Sequence, residues 1–255
     1  MILALDVGNT NIVLGCVDES NNIVYEARIE TDHGKTEYQY AVDFKNLLEI
    51  GGIDIKLISG AIMSSVVPPL VLILKKAVEF VTGVTPLVVG PGLKTGLNIK
   101  LDNPAQLGSD QVVDAIAVLD GYEPPVVIFD MGTATTVSVI DKDKNYIGGM
   151  IIPGIKISQD ALALRTSQLP KISIEAPKKV IGRNTVDCMK SGAIFGNAAM
   201  VDGIIERIEQ EIGSAVTTVA TGGLSSSIIP FCKRNTIIDN NLLIKGLKLV
   251  YDKNR

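Results

Sequence analysis

The chain has one histidine, His33, and three cysteines, Cys16, Cys188 and Cys232, spread over 255 residues. That scarcity excludes a zinc site built from histidine and cysteine, and the wide spacing fits no metal or redox motif. His33, within "ETDHGKTE", reads as a solvated loop residue. Reduced, scattered cysteines point to the cytoplasm. The net charge is −4 and no long basic run occurs, which argues against nucleic acid as a partner. The most apolar run, "PPLVLILKK", is too short to cross a bilayer, so no membrane association is expected. The opening "MILALDVGNT" has no basic leader and meets a carboxylate at Asp6, unlike a signal peptide. Two phosphate-binding signatures are also missing. There is no G-x-x-x-x-G-K-[ST], and the glycines spell no dinucleotide fingerprint after a strand.

What is present is an ordinary globular composition, 46% apolar and 20% charged. The length suits one large domain or two of about 125 residues each. The middle of the chain repeats the grammar of its start. "ILALDVG" reads as a strand, then a short polar turn, the strand "IVLGCV", the turn "DESNN" and the strand "IVYEARI". "VVIFDMGTATTVSVIDKDKNYIGG" follows the same plan. Asp6 aligns with Asp130 and Gly8 with Gly132, while Asp18 falls one residue out of register with Asp141. Two hairpins of common origin predict a duplicated domain, although two unrelated hairpins would look similar.

Between and after the hairpins, helices and strands alternate. "TEYQYAVDFKNLLEIGG" has helical spacing and a glycine stop. "KLISGAIMSSVV" is strand-like, Pro68 and Pro69 open the helix "LVLILKKAVEFVTG", "PLVVG" is a strand, and "DQVVDAIAVLDGY" is a helix. A long helix spans "VDCMKSGAIFGNAAMVDGIIERIEQEIG", followed by the strand "AVTTVATGG" and a last helix around "NNLLIKGLKLVYDK". The order is α/β. A domain boundary is expected near Gly121–Pro125, giving domains 1–122 and 123–255. The last helix is free, on sequence grounds, to pack on either. Gly192, Gly196 and Gly203 lie on one helix at close-packing spacings, for use either at a dimer interface or within the chain.

Phosphoryl transfer needs phosphates held, their charge offset and an acceptor hydroxyl aligned. A glycine in a tight turn lets backbone N–H groups approach phosphate oxygens, and Asn9, Thr10 and Asn11 add side-chain donors. A carboxylate such as Asp6 repels phosphate, so its use in such a site is to hold a cation or the cation's waters. Asp130, followed by Thr133, Thr135 and Thr136, repeats this plan. If the two hairpins face one cleft, two carboxylates meet there around a metal ion. "VATGGLSS" adds a strand ending in Thr221, Gly222 and Gly223, suited to close approach of a nucleotide. Capping of their own turns is the ordinary alternative use for each of these aspartates and asparagines.

The segments "DVGNTNIVLG", "DNPAQLGSDQ", "DMGTATT", "GGMIIPGIKIS", "SQLP", "NTVDCMKSG" and "ATGG" resemble, in order and over almost the whole chain, those of type III pantothenate kinases. That family belongs to the acetate kinase, sugar kinase, Hsp70 and actin superfamily. The resemblance implies an α/β fold of two duplicated ribonuclease H-like domains of mixed sheet flanked by helices, with a cleft between them. It implies ATP-dependent phosphorylation of the pantothenate hydroxyl, the first step towards coenzyme A. It further implies Mg2+, a monovalent cation (K+ or NH4+), and a homodimer with a shared active site.

Carried over by residue, Asp6, Val7, Gly8, Asn9, Thr10, Asn11, Ile12 and Val13 resemble the first ATP phosphate loop, with Asp6 also facing metal. Asp130 resembles the monovalent-cation ligand, and Gly132 and Thr133 an ATP contact. Gly222 and Gly223 resemble part of the adenosine wall. Thr185 resembles a pantothenate contact reaching the partner subunit's site. Asp110 resembles the general base, within a substrate loop that includes Leu101, Gly108, Ser109 and Gln111.

That loop departs from the family. Its usual form is Tyr-x-Asn-Pro followed by Gly-Ala-Asp-Arg. Here Leu101 stands at the tyrosine position, Ser109 at the alanine and Gln111 at the arginine. Glutamine carries no charge to pair the pantothenate carboxylate. Two other readings therefore stand beside the pantothenate kinase: a related kinase for a different small alcohol, and a non-catalytic ATP-binding paralogue with a regulatory role. At the helix start, Ser109 is the better candidate for the cap. First-turn N–H groups are expected to orient Asp110 and lower its pKa.

Overall fold

The computed structural model describes residues 1–255. In chain order, the first elements are β1 (Ile2–Val7), β2 (Asn11–Val17), β3 (Ile23–Glu30), α1 (Glu37–Ile50), β4 (Gly60–Ser65), α2 (Val71–Thr82) and β5 (Leu87–Val88). There follow β6 (Asn98–Ile99), α3 (Ser109–Gly121), β7 (Val126–Met131), β8 (Ala134–Ile140), β9 (Asn145–Pro153) and α4 (Ile155–Arg165). The chain closes with α5 (Thr185–Ser191), α6 (Asn197–Ile212), β10 (Thr217–Thr221), α7 (Ser225–Ile228), β11 (Ile237–Ile238) and α8 (Leu242–Asn254). These form two mixed sheets flanked by helices. No helix is long and apolar enough to cross a membrane.

One compact unit comprises Met1–Gly96, Asn103–Ala117 and Asn241–Arg255. Its sheet has the order β3-β2-β1-β4-β5, with β1 antiparallel to β2 and parallel to β4. Thr36 and Gln39 form a capping box that starts α1, and Tyr40, Phe44 and Leu48 recur every four residues on its buried face. They pack with Leu74, Ala77 and Val78 of α2 against Leu3, Leu5 and Val7 of β1. Strand alternation turns Ile2, Ala4 and Asp6 to the opposite face. There α8 lies on β1 and β4, with Ile244 over Gly15 and the Tyr251 ring over Gly60.

The second unit comprises Leu97–Asp102 and Val118–Asn240, with the sheet order β11-β10-β7-β8-β9-β6. Val127, Phe129 and Met131 of β7 pack with Ala198, Val201 and Ile205 of α6. The single long helix expected from the sequence runs without a break from Thr185 to Ile212, although not as a uniform α-helix. A π-helical turn, Gly192–Gly196, separates α5 from α6. A side chain added at Gly192 or Gly196 would meet nothing within 4 Å, so neither glycine serves a close contact within the chain.

The two hairpins are copies down to their turns. β1 and β7 share one burial pattern residue for residue, as do β2 and β8. Asp18 accepts N–H bonds from Ser20 and Asn22 at 2.8 and 2.9 Å, and Asp141 accepts them from Asp143 and Asn145, both at 2.9 Å. Asn21 and Lys144 take the same left-handed conformation, with φ of 63° and 65°. The one-residue slip between Asp18 and Asp141 has a plain cause. Gly8–Thr10 join β1 to β2, whereas only Gly132 and Thr133 join β7 to β8.

Candidate active site

Asp6 is the last residue but one of β1, on the sheet face that carries α8. The parallel pairing of β1 with β4 sets it beside Ser64, whose fully buried hydroxyl donates to Asp6 Oδ1 at 2.5 Å. Although part of its surface is exposed, burial pushes the Asp6 carboxyl up to about 6. The Ser64 hydrogen bond opposes this shift, the negative charge of Asp110 adds to it, and Arg28 opposes it more weakly. Asp6 and Asp110 are thus electrostatic neighbours within one unit. Ser64 was not singled out from the sequence, yet a hydroxyl in an otherwise apolar buried strand was the available signal.

Asp110 lies in the first turn of α3. Its Oδ1 accepts the Gln111 N–H at 2.8 Å. Gly108 leaves room for that carboxylate, since an added Cβ would collide with Asp110 Oδ1. The cap expected of Ser109 is not made. Its Oγ instead accepts the Ser65 N–H and donates to the Ser65 carbonyl, each at 3.1 Å. The expected fall in the Asp110 pKa is also reversed. Burial raises it, and the N–H bonds of Gln111 and of Asp110 itself offset only part of that rise. A base raised by burial is stronger than one merely held by a helix start.

The turn after β1 is closed by Gly8 N–H to the Asn11 carbonyl at 3.0 Å. Thr31 braces it from β3's end, its hydroxyl donating to the Gly8 carbonyl at 2.7 Å and its N–H to the Thr10 carbonyl at 2.9 Å. Asn9 and Thr10 are exposed, Asn11 is half-buried, and the apolar Val7 and Ile12 anchor the turn in the core while half-buried Val13 continues β2.

In the second unit Asp130 is the last residue but one of β7, paired with buried Thr221 of β10 as Asp6 is paired with Ser64. Gly222 follows with φ of +87°, and a Cβ there would lie 2.5 Å from Asp130 Oδ1 and 2.6 Å from the Met131 nitrogen. Only glycine fits that close approach. Gly132 N–H closes the second turn on the Ala134 carbonyl at 3.0 Å, leaving Thr133 exposed. Exposed Gly223 follows Gly222. Leu101 belongs to this unit and lies near Gly148 of β9. Thr185 is exposed in the first turn of α5, behind the Asn184 cap. Gln111 belongs to the first unit, half-buried beside the Gly108 turn.

No group of three or more histidine, cysteine, aspartate or glutamate side chains gathers into a metal cage. A half-buried carboxylate such as Asp6 nonetheless suits Mg2+, which binds through one or two carboxylates together with water and substrate phosphates.

The sequence profile of the type III pantothenate kinase family matches residues 2–207. A type III pantothenate kinase of Halalkalibacterium halodurans is 44% identical over 254 residues, covering 100% of each chain. One of Bacillus cytotoxicus is 45% identical, covering 100% of this chain and 97% of its own. Among solved structures, a ROK family glucokinase from Streptomyces griseus, in complex with glucose and AMPPNP, aligns with a TM-score of 0.51 at 14% identity, covering 98% of both chains. Component A of the Acidaminococcus fermentans (R)-2-hydroxyglutaryl-CoA dehydratase aligns with a TM-score of 0.55 at 11% identity, over 96% of this chain and 94% of its own. These distant likenesses bear on the fold, and the full-length relatives on the family: this chain belongs to the type III pantothenate kinases.

Proposed function

We infer that this protein transfers the γ-phosphoryl group of ATP to the pantothenate hydroxyl, giving 4'-phosphopantothenate for coenzyme A synthesis. The observation that carries the reading is full-length identity to type III pantothenate kinases in a chain that sets Asp110 beside Asp6. ATP and a divalent cation are the cofactors of such a kinase.

Asp110 acts as the base. Its carboxylate, raised by burial, accepts the proton of the attacking hydroxyl. The braced turn from Gly8 to Asn11 offers N–H and side-chain donors to phosphate, and the Gly132–Thr133 turn offers a second set. Asp6 would hold Mg2+, directly or through its waters, and Asp130 a monovalent cation, K+ or NH4+. A bound cation supplies charge to offset the phosphates. Gly222, seated against Asp130 and Met131, and exposed Gly223 would form part of the adenosine wall. Leu101, Gly108 and Gln111 line the acceptor side, and Thr185 serves the active site of a partner subunit in a homodimer. The matching hairpins support two ribonuclease H-like halves divided near 122, with the last helix, α8, packed on the first half. The setting is the cytoplasm.

A coupled assay of ADP release tests this, with and without pantothenate and with K+, NH4+ or neither. Turnover should require pantothenate and rise with the monovalent cation. Asp110→Asn should lower kcat by about 10²–10⁴-fold, the usual range for a general base, with ATP binding retained. Near-normal turnover by that variant would remove Asp110 from its role. Faster turnover with another small alcohol than with pantothenate would move the substrate elsewhere.

A further inference from the structure

We propose that Ser109 is a positioning residue for Asp110: its hydroxyl fastens the first turn of α3 to the end of β4 and so holds the Asp110 carboxylate in place relative to Asp6. The inference rests on Asp110 being the base.

The fastening has two points. A single oxygen, Ser109 Oγ, takes the N–H and serves the carbonyl of one residue, Ser65, at 3.1 Å each. A hydroxyl engaged on both sides cannot turn about one bond without breaking the other. Ser65 is the last residue of β4, and its neighbour Ser64 donates to Asp6 at 2.5 Å. The link from one carboxylate to the other therefore runs Asp6, Ser64, Ser65, Ser109, Asp110. It consists of covalent bonds and three hydrogen bonds, with no side chain longer than serine between the two aspartates.

Such a link has work to do here. Asp6 and Asp110 repel one another. Asp110 also occupies a helix start, where backbone groups lack helical partners and fraying begins. The Gln111 N–H aims the carboxylate only relative to its own turn. The bond to Ser65 ties that turn to the sheet. An alanine at position 109 has no hydroxyl to make that tie, so the register of the base depends on the Ser109 contact.

Misplacing a reacting group by about 1 Å can cost up to about 10²-fold in rate. Ser109→Ala suits a helix start and should lower kcat about tenfold, with KM for ATP and for pantothenate within about twofold. Ser109→Cys keeps the size with a weaker hydrogen-bonding group and carries the test if the alanine variant does not fold. The deciding measurement is a double-mutant cycle with Asp110→Asn. If Ser109 acts through Asp110, its replacement causes no further loss in the Asp110→Asn background. A kcat within twofold of the parent for the folded Ser109 variant overturns the proposal, as does an equal loss in both backgrounds. The base assignment is judged separately, on Asp110→Asn with Ser109 intact.

Discussion

Asp6→Asn should make the protein more stable and inactive. The Asp6 carboxyl has a pKa of about 6, against an ordinary value of 3.8. A carboxyl raised on folding is charged at a cost. The stability it withholds is greatest above the folded pKa and returns as pH falls through about 6 towards 4. A shift of about two units corresponds to about 3 kcal/mol at neutral pH, at roughly 1.4 kcal/mol per unit, before solvent screening reduces it. Linkage halves this to about 1.5 kcal/mol near pH 5. Asparagine has nearly the same shape and keeps an oxygen to accept the Ser64 hydroxyl, so the charge is the main change. Urea unfolding with a chelator present, at about pH 7.5 and about pH 5, measures the difference. The variant should gain up to about 3 kcal/mol at the higher pH and about half of that at the lower. Mg2+ with ATP should stabilise the parent and leave the variant little changed. An equal or lower stability of the variant at the higher pH, or a gain that does not shrink on acidification, would refute the desolvation argument.

Gly222→Ala should cost about 2–4 kcal/mol, because alanine at a φ of +87° is strained and its Cβ would press on Asp130 and the Met131 backbone. Gly213→Ala, at a φ of +72° with open space around it, should cost only about 1–2 kcal/mol. Equal melting shifts for the two would refute the steric part, and ATP titration should show a loss for Gly222→Ala alone. Gln111→Arg should lower KM for pantothenate by about 10–100-fold, since a charge-assisted hydrogen bond contributes about 1.5–3 kcal/mol. An unchanged KM would mean that the carboxylate is met by another group.

The site was legible in the sequence where local grammar dictates it. The two strand–turn–strand segments stood out because strands buried almost throughout leave short continuous apolar runs, each ended here by an aspartate and a turn glycine. The α1 capping box and the glycine after α2 are likewise short-range devices. Ser109 and Ser64 were not read correctly because their partners are distant in the chain. Ser109 looked like a cap, since a serine at a helix start usually serves the next N–H groups. Its actual partner lies 44 residues earlier. Asp110 was expected to be acidified by its helix, and burial reversed that sign. Of the two-residue strands, β5 falls within the expected strand "PLVVG", whereas β6 and β11 carry no periodicity to detect.

By itself, then, the sequence determined the α/β plan with its two matching hairpins, the family, and the residues for which a chemical role is proposed. These depend on residue type and spacing along the chain, which side-chain periodicity and turn stereochemistry impose locally. Only the tertiary structure decided which hydroxyl holds which carboxylate, where α8 packs, and that burial lifts Asp6 and Asp110. Desolvation and through-space charge depend on what the whole fold brings within a few ångströms, and no local pattern encodes that.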